Sequence, residues 1–219
     1  MHPLRPTGPR ESLFCESVLI WVAYNVQTVT LIWKGLTIGP SRLAKQGVRT
    51  TWLWLVEKVA RLRDGMSPPE TSRVTDRLWV GGQHYERGLG RMRLFGIGAT
   101  LNLRAESDDA QRGVALPRHL WLPTPDDGAP TVAQMREGVA FIRAAVAAGA
   151  GVYVHCAQGV GRAPTLAAAY LIAEGESPRE AMDMIRKVRP FITPTTTQMR
   201  RLEEWAKVMT AEAMDNGLG

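Results

Sequence analysis

Cysteine is scarce in this sequence of 219 residues, which contains only Cys15 and Cys156. Two cysteines cannot form the dense disulfide framework that staples small secreted domains. The first ten residues, MHPLRPTGPR, carry three prolines and two arginines, and no small-residue cleavage site follows the apolar run behind them. We therefore predict neither a disulfide scaffold nor a secretory signal, and a reducing, cytoplasmic setting in which a thiol stays free.

An excess of charge of one sign is also missing from most of the chain. The net charge is +6, but residues 1–65 hold nine Lys and Arg against four Asp and Glu, whereas residues 66–219 hold eighteen against seventeen. A nucleic-acid-binding domain needs a basic face, which the larger segment does not offer. We therefore expect no nucleic-acid partner, and the balance of 45% hydrophobic and 22% charged residues indicates a globular protein.

A long uninterrupted apolar run is missing as well. Residues 14–36, FCESVLIWVAYNVQTVTLIWKGL, are mostly apolar, but Glu16 and Gln27 interrupt them. A helix that spans a membrane needs about 20 predominantly apolar residues, so this run is borderline. Residues 47–65 follow with several basic side chains and an apolar stripe at helical spacing. The stripe consists of Val48, Trp52, Leu55, Val56 and Val59.

Residues 1–65 are therefore predicted to form a hydrophobic and basic helical extension, for which three interpretations stay open. The helices pack on the main domain through apolar faces, or they bind a membrane surface peripherally through basic and tryptophan side chains, or residues 14–36 span a membrane. Residues 66–71, MSPPET, are predicted to be a linker because the two prolines favour turns. Residues 72–215 then form the main domain.

Strands and helices alternate in the main domain. Apolar and β-branched stretches predict strands at ATLNLR, HLWLP and GVYVH, and helical periodicity predicts helices between and after them. Ser177 followed by Pro178 is typical of a helix start, since serine caps the first turn and proline is tolerated there. This alternation predicts an α/β fold with a central, mostly parallel sheet flanked by helices.

The segment VYVHCAQGVGRAPTL, residues 152–166, places Cys156 where a buried strand ends. In an open α/β sheet, ligands bind at the carboxyl ends of the strands. The following loop, residues 157–161, has few bulky side chains, so its backbone N–H groups can converge on an anion at the start of the next helix. Arg162 adds a planar guanidinium that matches a phosphate. These surroundings favour the thiolate form of Cys156, which is a nucleophile.

A packing role is the alternative for Cys156, because most free cysteines are small buried residues. That alternative leaves His155, the glycine-rich loop and Arg162 unexplained together. The segment VHCAQGVGRA resembles the active-site signature of the cysteine-dependent protein tyrosine and dual-specificity phosphatases. The resemblance extends over about residues 72–210, and the compact spacing is similar to the small dual-specificity and mitochondrial lipid-phosphatase branches.

The resemblance implies roles for particular residues. Cys156 matches the family nucleophile, and Arg162 matches the phosphate-binding arginine. The segment LPTPDDGAPT resembles the family's general-acid loop, in which an Asp protonates the leaving oxygen. Asp126 is the predicted acid, and Asp127 is the alternative. The predicted phosphate-binding residues are Ala157, Gln158, Gly159, Val160, Gly161 and Arg162.

Ala163 departs from the family pattern, which has Ser or Thr after the arginine. In the family this hydroxyl is taken to stabilise the departing thiolate, so its loss predicts slow turnover. Thr165 is the candidate substitute, and Gln158 or Gln198 is the candidate to orient the attacking water. The leading function is a phosphomonoester hydrolase that forms a phospho-cysteine. The alternatives are a phosphate-binding module with weak turnover and a lipid monophosphate phosphatase.

No metal and no other cofactor is expected for this chemistry. The four histidines, His2, His84, His119 and His155, do not form ligand spacings with cysteine or carboxylate residues. The predicted partner is a phosphoprotein or a phospholipid monoester that serves as substrate. The expected location is the cytoplasm, with membrane association through residues 1–65 as the alternative.

Overall fold

A computed structural model describes residues 44 and 46–217 of the chain. The chain divides into two compact units, Met1–Thr51 and Trp52–Gly219. The apolar run at residues 14–36, including Cys15, lies outside the described residues. In the first unit, the described residues 44 and 46–51 are helical. The second unit contains the sheet and the predicted site residues.

Parallel strands form the central sheet. Val152 and Val154 pack into a core on one face of the sheet, whereas Tyr153 packs into a second core on the other face. Burial of both faces explains why the strand that ends at His155 is almost continuously apolar. The predicted α/β fold with a mostly parallel sheet is confirmed. The strands are β1 Leu78–Gly81, β2 Ile97–Arg104, β3 Arg118–Thr124 and β4 Gly151–His155, in the order β1-β4-β2-β3.

Helices flank this sheet in the part of the second unit that the structure describes. Capping boxes begin two of them, because Thr131 and Ser177 each accept a hydrogen bond from the backbone N–H three residues later. The predicted helix start at Ser177 is therefore confirmed. The helices are α1 at residues 52–64, α2 Leu89–Leu94, α3 Val132–Ala147, α4 Arg162–Ala173, α5 Pro178–Val188 and α6 Thr196–Gly217, with short 3-10 turns at Pro69–Thr71 and Glu86–Gly88.

Helix α1 buries three of its side chains, the apolar Trp54 and the polar Glu57 and Arg61. Trp52 and Val59 of the predicted apolar stripe are 62% and 58% exposed, whereas Glu57 and Arg61 are buried. Ser67 Oγ donates to Glu57 Oε1 at 2.5 Å, and Arg61 Nη1 donates at 3.1 Å to a backbone carbonyl just after β1. Buried polar groups are tolerated when they are paired in this way. The predicted apolar stripe of α1 is therefore exposed. The helix packs on its unit through a different face, not through this stripe.

The segment at residues 66–71 is packed rather than extended. Met66 and Ser67 are buried, and Met66 belongs to the core that contains Tyr153. The compact unit begins at Trp52, upstream of the domain start at residue 72 that the prolines indicated. Within the residues that the structure describes, no helix has both the length and the hydropathy needed to cross a membrane.

Candidate active site

Cys156 lies directly after β4, at the carboxyl edge of the sheet, and its residue is only 3% exposed. The backbone N–H of Gly159 donates to Cys156 Sγ at 3.3 Å. Gly159 has a φ of 67°, and a Cβ added there would lie 2.4 Å from the Gly81 carbonyl. Glycine is therefore required at this position both by backbone conformation and by space.

The carbonyl groups of the loop at residues 157–161 are held by neighbouring segments. The backbone N–H of Gln83 donates to the Ala157 carbonyl at 3.2 Å, and that of Thr193 donates to the Val160 carbonyl at 2.7 Å. Because a peptide group is planar and trans, fixing a carbonyl on one side directs the following N–H to the opposite side. The loop backbone is therefore preorganised to present N–H groups to an anion.

Arg162 is the first residue of α4 and is 2% exposed. Its Nη1 donates to the Thr124 carbonyl at 2.8 Å and to Glu106 Oε2 at 2.9 Å, and its Nη2 donates to Glu106 Oε1 at 3.1 Å. The Glu106 carboxylate thus binds the guanidinium through both oxygens, which fixes the plane of the guanidinium. The predicted phosphate-binding arginine and the predicted nucleophile lie at the two ends of one short loop.

Glu106 was not among the residues that the sequence indicated. Partial burial would raise its pKa, but hydrogen bonds from Arg162, together with those from its own backbone and from Arg104, lower the pKa to about 2. The residue is therefore a carboxylate at neutral pH and a permanent partner for Arg162. Its position just after β2, at the same sheet edge as Cys156, is the signal that would have pointed to it.

Asp126 lies at the mouth of this site. Its side chain is 79% exposed, and its Oδ1 forms an ion pair with Arg162 Nη2 at 2.8 Å. The neighbouring Asp127 has a φ of 59°, in the left-handed region that Asp tolerates better than most residues. Gln198 Nε2 donates to the Gly128 carbonyl at 2.7 Å, which ties this loop to the start of α6. The structure thus brings Asp126 to Arg162, while its role as the acid stays a prediction.

Three residues that are far apart in sequence meet behind β4. His155 Nε2 lies 2.6 Å from Asp109 Oδ2, and His84 Nε2 lies 2.8 Å from the Val114 carbonyl. Burial, with a smaller contribution from His155, lowers the pKa of His84 to about 4. The spacing of the histidines did not predict this cluster, whose ligand-type atoms all lie within 4.8 Å of one another. Hydrogen bonding accounts for the short contact, so we interpret Asp109 as the residue that orients His155.

The surroundings of Ala163 show whether Thr165 can supply the hydroxyl that Ala163 lacks. Ala163 is fully buried, and Thr165 Oγ1 donates to the Gly161 carbonyl at 2.9 Å within α4. The Thr165 hydroxyl proton is therefore engaged by the backbone rather than by Cys156. Gln198 packs against Gly161, where an added Cβ would lie 2.9 Å from Gln198 Oε1. This contact places the Gln198 amide beside the loop at residues 157–161.

The comparison with known proteins identifies the family. The model of the dual specificity phosphatase catalytic domain matches residues 78–208, more than half of the chain. The chain therefore belongs to the dual-specificity phosphatase family. The resemblance inferred from VHCAQGVGRA is confirmed.

Individual relatives resemble parts of the chain. Phosphatidylglycerophosphatase and protein-tyrosine phosphatase 1 of Mus musculus is 42% identical over 90 residues, which cover 41% of this chain and 47% of that protein. Tyrosine-protein phosphatase yvh1 of Schizosaccharomyces pombe is 35% identical over 107 residues, 48% of this chain and 32% of that protein. The matches thus span less than half the length of these curated relatives. The crystal structure of PTPMT1 is similar with a TM-score of 0.60 and 29% identity, over 66% of this chain and 98% of that chain.

Proposed function

We propose that the protein hydrolyses phosphomonoesters in two steps at Cys156. In the first step, the Cys156 thiolate attacks phosphorus, an S–P bond forms, and the P–O bond to the leaving group breaks. Asp126 gives its proton to the leaving oxygen. In the second step, water attacks the phospho-cysteine while Asp126 accepts a proton from that water. Inorganic phosphate leaves, and the thiolate is regenerated.

The observation that carries this proposal is the fixed position of Arg162 relative to the loop that begins at Cys156. The Thr124 carbonyl and the Glu106 carboxylate both bind Nη1, so the guanidinium is preorganised before a substrate arrives. The Asp126 carboxylate, whose side chain is 79% exposed, lies 2.8 Å from Nη2. A substrate phosphate that binds Arg162 would replace this carboxylate and leave it beside the ester oxygen that departs.

A test of this mechanism uses the full chain and an aryl phosphate. Cys156→Ser is expected to abolish turnover but to keep binding of inorganic phosphate, because the loop N–H groups and Arg162 remain. Arg162→Ala is expected to lose both. Turnover is followed by release of the phenol and phosphate binding by titration calorimetry. Hydrolysis retained by Cys156→Ser would rule out the phospho-cysteine.

A lipid monophosphate is the substrate class that we propose beside phosphotyrosine and phosphoserine or phosphothreonine. Its support is the name of the mouse relative, which includes phosphatidylglycerophosphatase, together with exposed apolar side chains such as Trp52 and Val59 on α1. An apolar helix face with tryptophan suits peripheral contact with a membrane. Rates on phosphatidylglycerophosphate in vesicles and on phosphorylated peptides distinguish these substrates.

A phosphate-binding module with weak turnover is the second candidate function. It is favoured by Ala163, which offers no hydroxyl to the departing thiolate, and by Thr165, whose hydroxyl proton is given to the Gly161 carbonyl. Tight binding of inorganic phosphate by a protein that shows neither a burst nor steady turnover on an aryl phosphate would support this candidate over the hydrolase.

A further inference from the structure

Arg189 contacts the loop at residues 157–161, here called the phosphate loop, from the side opposite Cys156 Sγ. The residue follows α5 and is fully buried. Its Nε donates to the Gly159 carbonyl at 3.1 Å, and its Nη2 donates to the Gln158 carbonyl at 3.3 Å. We propose that Arg189, held by Glu57 of α1, is a positioning residue that sets the conformation of the phosphate loop. The inference deepens the proposed function and rests on it.

The two carbonyls that Arg189 binds belong to consecutive peptide groups. The first peptide group joins Gln158 to Gly159, and its N–H donates to Cys156 Sγ. The second joins Gly159 to Val160. Since each peptide group is planar, one guanidinium that holds both carbonyls directs both N–H groups away from itself and towards the sulfur side of the loop. Arg189 thereby fixes the donors that would bind a phosphate.

Glu57 is the carboxylate that pairs with Arg189. Its Oε1 lies 3.5 Å from Arg189 Nη2, and both side chains are completely buried. The same oxygen accepts from Ser67 Oγ at 2.5 Å and lies 3.4 Å from Arg61 Nε. A buried guanidinium without such a counter-charge is strongly disfavoured, so Glu57 holds Arg189 in place.

The charges behind the loop also favour an anion in front of it. Arg61 and Arg189 supply two positive charges, and Glu57 supplies one negative charge, so an excess positive charge lies behind the loop. A nearby positive charge stabilises a thiolate and a phosphate. Glu57 precedes the matched family region at residues 78–208. Helix α1 therefore lies outside the matched family region, and its Glu57 completes the support of the phosphate loop.

The test compares two substitutions with matched controls in the full chain. Arg189→Lys keeps the charge but loses the planar set of donors, and Glu57→Gln keeps the shape but loses the charge. Arg186→Lys on α5 and Glu70→Gln are the controls, because both residues are exposed. Calorimetry measures the affinity for inorganic phosphate, and iodoacetamide measures the alkylation rate of Cys156 at pH 7. Thermal melting reports the fold.

We expect Arg189→Lys and Glu57→Gln to weaken phosphate binding about tenfold and to slow alkylation, while the controls match the wild type. They should lower kcat for an aryl phosphate more than they raise KM, because loop geometry matters most in the transition state. A purely structural role would lower the melting temperature and leave the phosphate affinity of the folded protein unchanged. That second pattern overturns the inference.

A further variant covers the case in which Glu57→Gln does not fold. Glu57→Asp keeps the charge and shortens the reach to Arg189, so we expect a nearly normal melting temperature with weaker phosphate binding. Equal binding by folded Glu57→Asp, Arg189→Lys and the wild type overturns the inference alone. Absence of both phosphate binding and turnover in the wild type instead overturns the proposed function, and the inference with it.

Discussion

At the scale of single residues, the contacts of Arg162 separate Asp126 from Asp127. Asp126 reaches the guanidinium, whereas the backbone carbonyl of Asp127 accepts from Thr195 Oγ1 at 3.2 Å, which makes it part of the tether to α6. Asp126→Ala should lower turnover on an aryl phosphate by about 10²- to 10⁴-fold, the usual effect of losing a general acid. Asp127→Ala is the matched control, and we expect it to lose far less. The reverse ranking of the two variants would transfer the acid role to Asp127.

Ala163 allows a second residue-scale prediction. Ala163→Ser adds a hydroxyl where a departing thiolate would need a donor, and a charge-assisted hydrogen bond is stronger than a neutral one. If breakdown of the phospho-cysteine limits turnover, the steady-state rate should rise by about tenfold while the initial burst stays unchanged. Stopped-flow release of the phenol measures both phases. An unchanged steady-state rate would mean that another step limits turnover.

His84 provides a prediction for stability as a function of pH. Its pKa is about 4 in the folded protein, below the ordinary value of 6.5. Between these values the unfolded chain binds a proton that the folded chain does not, so acidification from pH 6.5 to 4 favours unfolding, by about 3 kcal/mol at most. His84→Gln, which keeps a donor for the Val114 carbonyl, should flatten this dependence in urea titrations. Exposed His119→Gln is the control and should keep the wild-type slope.

At the scale of elements, local sequence patterns correctly predicted the features that are formed by residues adjacent in sequence. The strand ending at His155, the loop from Cys156 to Arg162 and the helix start at Ser177 all follow from residue types that are adjacent in sequence. Glu106 and Glu57 were missed because their partners lie 56 and 132 residues away. The apolar periodicity of α1 predicted a helix correctly. Periodicity does not reveal which face meets the domain, and here the buried face carries Trp54 beside the paired side chains of Glu57 and Arg61.

Helix α1 determines where a shortened chain remains stable. A chain that begins at Ser67 loses Glu57 and with it the counter-charge of Arg189, and breaking a buried ion pair costs about 3–5 kcal/mol. This loss is comparable to the whole stability of many domains. We expect such a chain to aggregate or to melt much earlier, whereas a chain that begins at Trp52 should fold and hydrolyse an aryl phosphate. Equal melting temperatures for the two chains would support the predicted boundary at residues 66–71.

At the scale of the whole molecule, the exposed face of α1 and the charge of the front segment favour the same partner. The apolar residues Trp52, Leu55, Val56, Val59 and Leu62 are all at least 36% exposed. Residues 1–65 also hold most of the net positive charge of the chain. Apolar burial and attraction to anionic lipid then act together, and the charge contribution weakens as salt rises.

Co-sedimentation of the full chain with vesicles tests this membrane contact. We expect binding to vesicles that contain phosphatidylglycerol and little binding to neutral ones, because the front segment is basic.

Trp52→Asp should weaken that binding at least about fivefold, since it removes an anchoring tryptophan and adds a negative charge. Met214→Asp on α6 places the same charge at another exposed apolar residue, and it should bind vesicles like the wild type. Both variants should keep wild-type rates on a soluble aryl phosphate, because neither residue contacts the phosphate loop. If the wild type ignores anionic vesicles even at low salt, then the exposed face of α1 does not bind membranes, and the lipid substrate loses its structural support.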